Sequence, residues 1–212
     1  MEEYILTSSG IREPVLFFYV NAPSIIIGRH QNTLDEINID FVREHDIKIV
    51  RRCSGGGAVY HDLGNLNYSL IRPGDMNSKA DFSTLLIPIL SALQKVGLSA
   101  ELSGRNDLLL NGAKFSGNAY YHNRSGSVTH GTLLFNSDLS VLTQALRPQP
   151  EKLNAKGIRS VRSRVCCIKE ALPDVRTIEE LEGAIVSYFS GQTELKTQNF
   201  RSEEHTSELQ SR

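Results

Sequence analysis

Long apolar runs are missing from this 212-residue chain. No stretch approaches the roughly 20 apolar residues that a membrane-spanning helix requires. The opening Met1-Glu2-Glu3 is acidic, where a secretion signal would be basic. An excess of one charge is missing too. The 23 Lys and Arg against 24 Asp and Glu leave a formal net charge of -1, without the basic footprint of a nucleic-acid binder. Cysteine is scarce: Cys53, Cys166 and Cys167 form neither a disulfide framework nor a Cys-x-x-Cys metal spacing. These absences point to a cytoplasmic protein with no membrane or nucleic-acid partner. The 40% hydrophobic content suits one domain with its own core.

Three catalytic signatures are absent as well. No Gly-x-Ser-x-Gly elbow marks a serine hydrolase. Gly55-Gly56-Gly57 does not continue as a dinucleotide fingerprint, since Tyr60 holds the last glycine position. Gly112 to Gly117 has the outer glycines of a P-loop, but Asn118-Ala119 follows where Lys-Ser/Thr belongs.

What the chain does have is concentrated in Arg51-Arg52-Cys53-Ser54-Gly55-Gly56-Gly57-Ala58-Val59-Tyr60-His61-Asp62. Consecutive glycines lose much backbone entropy on folding and persist where backbone passes close to something. Exposed N–H groups beside guanidinium groups suit an anion, most naturally a phosphate. A plain turn between two strands is the competing reading. Arg52 before the glycines and His61-Asp62-x-Gly64-Asn65 after them favour the site.

Val15–Tyr19 and Ser24–Ile27 read as strands, Ile39–Glu44 as a short helix, and Ile47–Arg51 as a strand entering the glycine loop. Asn67–Ile71 and Val128–Phe135 are further strands. Phe82, Leu85, Leu86, Ile89, Leu93 and Val96 recur at helical spacing before Gly97; Pro88 requires either a start near Ser83 or Thr84, or a kink. Thr177-Ile178-Glu179-Glu180 is a capping box, with Leu181, Ile185 and Phe189 on one helix face. Strand runs mixed with a few helices indicate an α+β fold.

Asn111-Gly112 between apolar runs is a hairpin signal. A two-residue turn there pairs Leu109 with Lys114 and Asp107 with Ser116. Asp107, Lys114, Ser116 and Asn118 are then expected on one face, with Phe115 and Ala119 on the other. From pattern alone Lys114 is either a solvent-facing strand lysine or a point-charge donor to an anion. His61 and His130 sit near glycines and are either structural or site-lining. Cys53 is expected to be small and buried rather than nucleophilic.

The block Arg-Arg-x-Ser-Gly-Gly-Gly-Ala-Val-x-His-Asp-x-Gly-Asn resembles the signature of lipoate–protein ligases, relatives of the biotin–protein ligases. Five more matches follow family order. They are Asn21 to Asn32, Gly104-Arg105-Asn106-Asp107, Lys114-x-Ser116-Gly117-Asn118-Ala119, His130-Gly131-Thr132-Leu133 and Lys156 to Val165. The resemblance implies a mixed, largely antiparallel sheet with flanking helices, like the catalytic domains of class II aminoacyl-tRNA synthetases. It also implies ATP-dependent formation of lipoyl-AMP with Mg²⁺, then transfer of the lipoyl group to a lysine of an acceptor. That acceptor would be the lipoyl domain of a 2-oxoacid dehydrogenase E2 subunit or a glycine-cleavage carrier.

Carried onto this sequence, the resemblance makes Lys114 the lysine at the lipoyl carboxyl and adenylate phosphate. Asp107 either orients Lys114 or helps hold Mg²⁺. ATP and lipoyl-AMP would be bound by Arg52, Ser54, Gly55, Gly56, Gly57, Ala58, Val59, Tyr60, Asn65, Asn106, Lys114, Ser116 and Gly117. Lipoate would lie against Val59, His61, Lys114 and His130. Lys156 to Arg164 would lie near the adenylate or the acceptor.

The resemblance covers residues 1–200 as a catalytic domain, with the first strand and part of the first helix expected upstream. The family's small C-terminal domain is expected beyond residue 200. Arg201–Arg212 instead resembles a translated sequencing-adapter oligonucleotide and has no usable apolar face. Two other readings remain: an ATP-independent lipoyl or octanoyl transferase using one of the three cysteines, and a non-catalytic fragment that binds the acceptor or lipoyl-AMP.

Overall fold

The computed structural model describes residues 1–7, 10–74, 82–104, 106–147 and 165–191. Nine strands among them form two sheets. The larger is antiparallel throughout, in the order β1 (Val15–Tyr19), β5 (Asn65–Pro73), β9 (Gly126–Leu134), β8 (Ala113–Asn123), β7 (Asp107–Leu110) and β6 (Ala100–Ser103). The smaller is mixed: β2 (Ser24–Ile27) lies between a parallel β3 (Lys48–Arg51) and an antiparallel β4 (Val59–His61). The expected α+β class is what the chain adopts.

Alternation along β5 decides what each face of the large sheet does. Leu66, Tyr68 and Leu70 face the main core with Leu133, Leu108 and Phe115, under α4 (Ser83–Lys95) and α6 (Ile178–Ser190). Asn65, Asn67 and Ser69 face the other way and yet are buried. Farther along that second face Ile71 and Val128 receive Ile5 and Leu6 of α1 (Glu2–Thr7). Burying a polar row costs free energy unless every group finds a partner, so this face is the one to search for function.

In the small sheet Ile25, Ile27 and Tyr60 pack with Val42 of α3 (Ile39–Glu44) and with Leu142 and Ala145 of α5 (Leu139–Ala145). Truncating Ile27, fully buried here, to alanine would cost about 2–5 kcal/mol. A short helix, α2 (Thr33–Glu36), links β2 to α3.

The local signals hold with instructive shifts. Asn111 and Gly112 take φ of 52° and 78°, the left-handed pair a two-residue hairpin turn demands. The helix over Phe82–Val96 begins at Ser83 and runs through Pro88 without ending. Thr177 caps α6 by accepting from the Glu180 amide, but Glu180 returns its carboxylate to the Arg176 amide rather than to Thr177. Strand β5 extends two residues beyond the expected span at each end.

Two expectations are overturned. The hairpin register shifts by one residue between Leu108 and Leu109, so Asp107 pairs with Gly117 and not with Ser116. The extra residue on β8 is a bulge that places Ser116 in the core beside Tyr68 and Asn118, on the face opposite Lys114. Both Phe115 and Ser116 are fully buried as a result. Cys53, expected to be buried, is exposed, because its neighbour Ser54 takes the inward position. The run Lys156–Arg164 and the segment Arg201–Arg212 lie outside the described residues.

Candidate active site

The glycine loop between β3 and β4 is organised by Arg52. Its Nε donates to Ser54 Oγ (3.0 Å) and the Gly55 carbonyl (3.2 Å), and its Nη1 to the Ile26 carbonyl (3.0 Å). Its Nη2 donates to the Gly55 and Gly57 carbonyls at 2.8 and 2.7 Å. Of the five or so guanidinium hydrogens, about three are thus spent on the loop itself and one on β2. With its carbonyls drawn inward onto Arg52, the loop leaves backbone N–H groups for a ligand. Gly56 adopts φ 97°, and its carbonyl lies 2.0 Å from where a Cβ on Gly28 would sit, so both positions require glycine. Arg51 points elsewhere, holding the carbonyls of Gly28 and Gln31 and the Thr33 hydroxyl.

Ser54, fully buried, lies 2.7 Å from His130 Nε2, and His130 Nδ1 lies 2.9 Å from Glu2 Oε1. The Ser69 hydroxyl donates to the same carboxylate. Burial would raise the Glu2 carboxyl pKa, but the hydrogen bonds from His130 and Ser69 hold it below its usual range.

His61 ends β4, buried, and its Nδ1 accepts from the Asn21 side-chain amide at 3.0 Å. The proton therefore sits on Nε2, which is buried with no partner among the described residues. Burial first, then the charge of Arg52, pushes the His61 pKa down to about 4. Asn65 donates to Asn67 Oδ1 while its own Oδ1 is buried and unmatched. A neutral imidazole donor and an amide acceptor therefore stand ready for a bound group. Val59 is half-buried beside them, whereas Tyr60 turns into the small-sheet core and offers the loop only its backbone.

On β8, Lys114 Nζ lies 2.8 Å from Asp107 Oδ1. Both side chains are about one-third exposed (38% and 34%), so this pair contributes little to stability and its consequence is placement. The two hang over Gly117, whose amide donates to Thr132 Oγ1. Val165 bridges to Lys114 and the Cys166 amide donates to its carbonyl, so the chain leaving the Lys156–Arg164 run passes directly beside this lysine. Asn106 is occupied structurally, bonding the Asn118 carbonyl and amide. With Ser116 in the core, neither offers its side chain on the face of Lys114.

Most of the expected residues therefore converge on one sheet face. Arg52, Ser54, the glycines, His61, Asn65 and His130 cluster around the loop, and Lys114 and Asp107 stand one strand farther along β8. Sequence reading missed Glu2, Asn21, Gly28 and Thr132. Asn21, Gly28 and Thr132 lay within quoted motifs but carried no chemistry of their own; Glu2 entered only as part of an acidic opening.

The arrangement is a glycine loop with its carbonyls turned inward beside a lysine–carboxylate pair. Residues 1–190 match the family model described as the lipoyl protein ligase A/B catalytic domain. The chain belongs to that family. It is 47% identical over 196 residues to lipoate–protein ligase 1 of Staphylococcus aureus, covering 92% of this chain and 60% of that protein. The chain thus spans less than two thirds of that relative's length. Its fold superposes, with TM-score 0.80 and 30% identity, on a structure of the Thermoplasma acidophilum bipartite lipoate protein ligase and its E2 lipoyl domain. That match covers 97% of this chain and 81% of the other. A lipoate-protein ligase A bound with ATP matches with TM-score 0.78 and 28% identity, covering 97% and 83%.

Proposed function

We propose that this chain is the catalytic domain of an enzyme that joins lipoate to a lysine of an acceptor protein at the expense of ATP. The observation that carries the reading is the Lys114–Asp107 pair on the face shared with the Arg52-shaped glycine loop. In the first step a lipoate carboxylate oxygen attacks the α-phosphorus of ATP; the bond to the β-phosphate oxygen breaks and pyrophosphate leaves. In the second step an acceptor lysine amine attacks the lipoyl carbonyl. The carbonyl–phosphate bond breaks, AMP leaves, and the amine loses its proton to solvent.

Both steps gather negative charge at one junction, where the Lys114 ammonium would sit as a fixed donor. Asp107 would hold that ammonium in place. The loop N–H groups would hold the phosphates, and the His61 Nε2–H and Val59 would line the lipoate slot with His130. Mg²⁺ fits in a limited sense. No cluster of three or more acidic, His or Cys ligands occurs among the described residues, so Asp107 would be a lone carboxylate, as suits an ion held mainly by phosphates and water. When bound, that ion would neutralise phosphate charge. The acceptor would be a lipoyl domain of an E2 subunit or a glycine-cleavage carrier.

The thioester-transferase reading is less supported. It needs a thiolate, and all three thiols are shifted up: the exposed Cys53 by partial loss of solvent and then Glu3, Cys166 by burial, and Cys167 by burial to about 11. The test is pyrophosphate release on mixing the chain with lipoate and ATP, followed by the mass gain of a lipoyl domain. No pyrophosphate, with transfer from a lipoyl thioester, would favour the cysteine route.

A further inference from the structure

Glu2 is the far end of a hydrogen-bond chain that no catalytic step above requires. Read from the other end, Arg52 Nε–H donates to Ser54 Oγ at 3.0 Å, and Ser54 meets His130 Nε2 at 2.7 Å. His130 Nδ1 in turn reaches Glu2 Oε1 at 2.9 Å and Oε2 at 3.1 Å. One proton arrangement satisfies every link. Glu2 accepts from Nδ1–H, the neutral Nε2 accepts from the serine O–H, and the serine oxygen accepts from arginine. The chain runs one way, from a guanidinium cation to a carboxylate anion, and bonds so ordered reinforce one another in a partly buried setting.

The Ser–His–Glu order looks like a nucleophile relay, but Ser54 is unsuited to attack. It is 1% exposed, and its oxygen is already occupied by Arg52. What the chain does reach is the glycine loop, because Arg52 also gathers the Ile26, Gly55 and Gly57 carbonyls. We propose that Glu2 is a positioning residue which, through His130 and Ser54, fixes Arg52 and so holds the glycine loop in its phosphate-binding shape. The N-terminal helix is thereby coupled to nucleotide binding rather than only to packing. The Ser69 hydroxyl, which donates to Glu2 Oε1, and Tyr19, which bonds both Ser69 and Glu2, add to the anchorage.

The inference rests on the ligase reading, and the experiment separates the two. ATP and lipoate are titrated by calorimetry into the full chain and into E2A, E2Q, R52A and the E2A/R52A double variant. E2A is expected to weaken ATP about tenfold, the scale of one hydrogen bond to a charged group. E2Q should recover most of that loss, because its amide oxygen still accepts from His130 Nδ1–H. Because His130 also lines the lipoate slot, lipoate affinity should fall too, but by less than ATP affinity, and the double variant should bind ATP no more weakly than R52A alone, as members of one network do. If R52A fails to fold, S54A takes its place, breaking the middle link while leaving the other Arg52 bonds. ATP affinity unchanged in E2A, a loss confined to lipoate, or additive losses in the double variant would each overturn the proposal. Failure of the unaltered chain to bind ATP would remove the ligase reading itself.

Discussion

Lys114 and Asp107 meet at 2.8 Å across the β7–β8 hairpin because a bulge moves Gly117, not Ser116, opposite Asp107. A Cβ at Gly117 would fall 2.8 Å from Lys114 Nζ and Cε, so the missing side chain is the space the ammonium occupies. The lysine's position is set by an absent atom as much as by a present charge.

Replacing Lys114 by alanine should therefore abolish adenylation and transfer together, by about 10²-fold or more, the scale for one preorganised donor. Lys114→Arg should restore little, since a planar fork does not replace a point charge in that space. Pyrophosphate release and acceptor modification, measured on the same samples, check this. An alanine variant within a few-fold of the parent refutes the assignment.

Gly117→Ala offers a sharper version. The atoms its methyl meets are the end of a flexible side chain, so the fold should survive with its melting temperature within a few degrees. The displaced ammonium should nonetheless lose most of its effect on rate. Normal activity in a folded G117A would show that Lys114 does not work from this position.

The glycine loop makes separable claims for its members. Gly28→Ala would drive a methyl into the Gly56 carbonyl 2.0 Å away, and Gly56 has φ 97° with Arg52 Nη2 at 2.9 Å from its own Cβ position. Both changes should cost stability as well as ATP affinity. Gly55 has open space at its Cβ position and no positive φ. Gly55→Ala should thus leave the melting temperature unaltered and weaken ATP only if a phosphate approaches there. Equal melting losses for all three would contradict this ordering.

Much of this was legible beforehand, for particular reasons. Asn111-Gly112 announces its turn through backbone chemistry, and the apolar spacing from Phe82 to Val96 reports a helix whatever lies around it. The bulge at Phe115–Ser116 was not legible, because an inserted residue changes no residue type and a strict period of two hides it. Arg52 illustrates a different limit. Its identity suggested an anion site, but only the fold shows its hydrogens turned onto Ser54 and the carbonyls of Ile26, Gly55 and Gly57. Glu2 and His130 lie 128 positions apart, and no local pattern joins them.

Titration of His61 supplies the last prediction. Its folded pKa of about 4 lies below the usual unfolded value of about 6.5, so the unfolded chain binds a proton that the folded chain refuses. Stability is then complete above pH 6.5 and is lost as the pH falls toward 4, by an amount on the order of 3 kcal/mol at most. Glu2 titrates in the same sense but at lower pH. Its depressed carboxyl contributes stability present above the usual unfolded value near 4.3 and lost only below it, so the two windows hardly overlap. Melting temperatures recorded between pH 7.5 and 5 should fall for the parent chain and fall less for His61→Gln. Parallel curves for the two proteins would mean that His61 is not held neutral, and the donor assigned to its Nε2 would go with it.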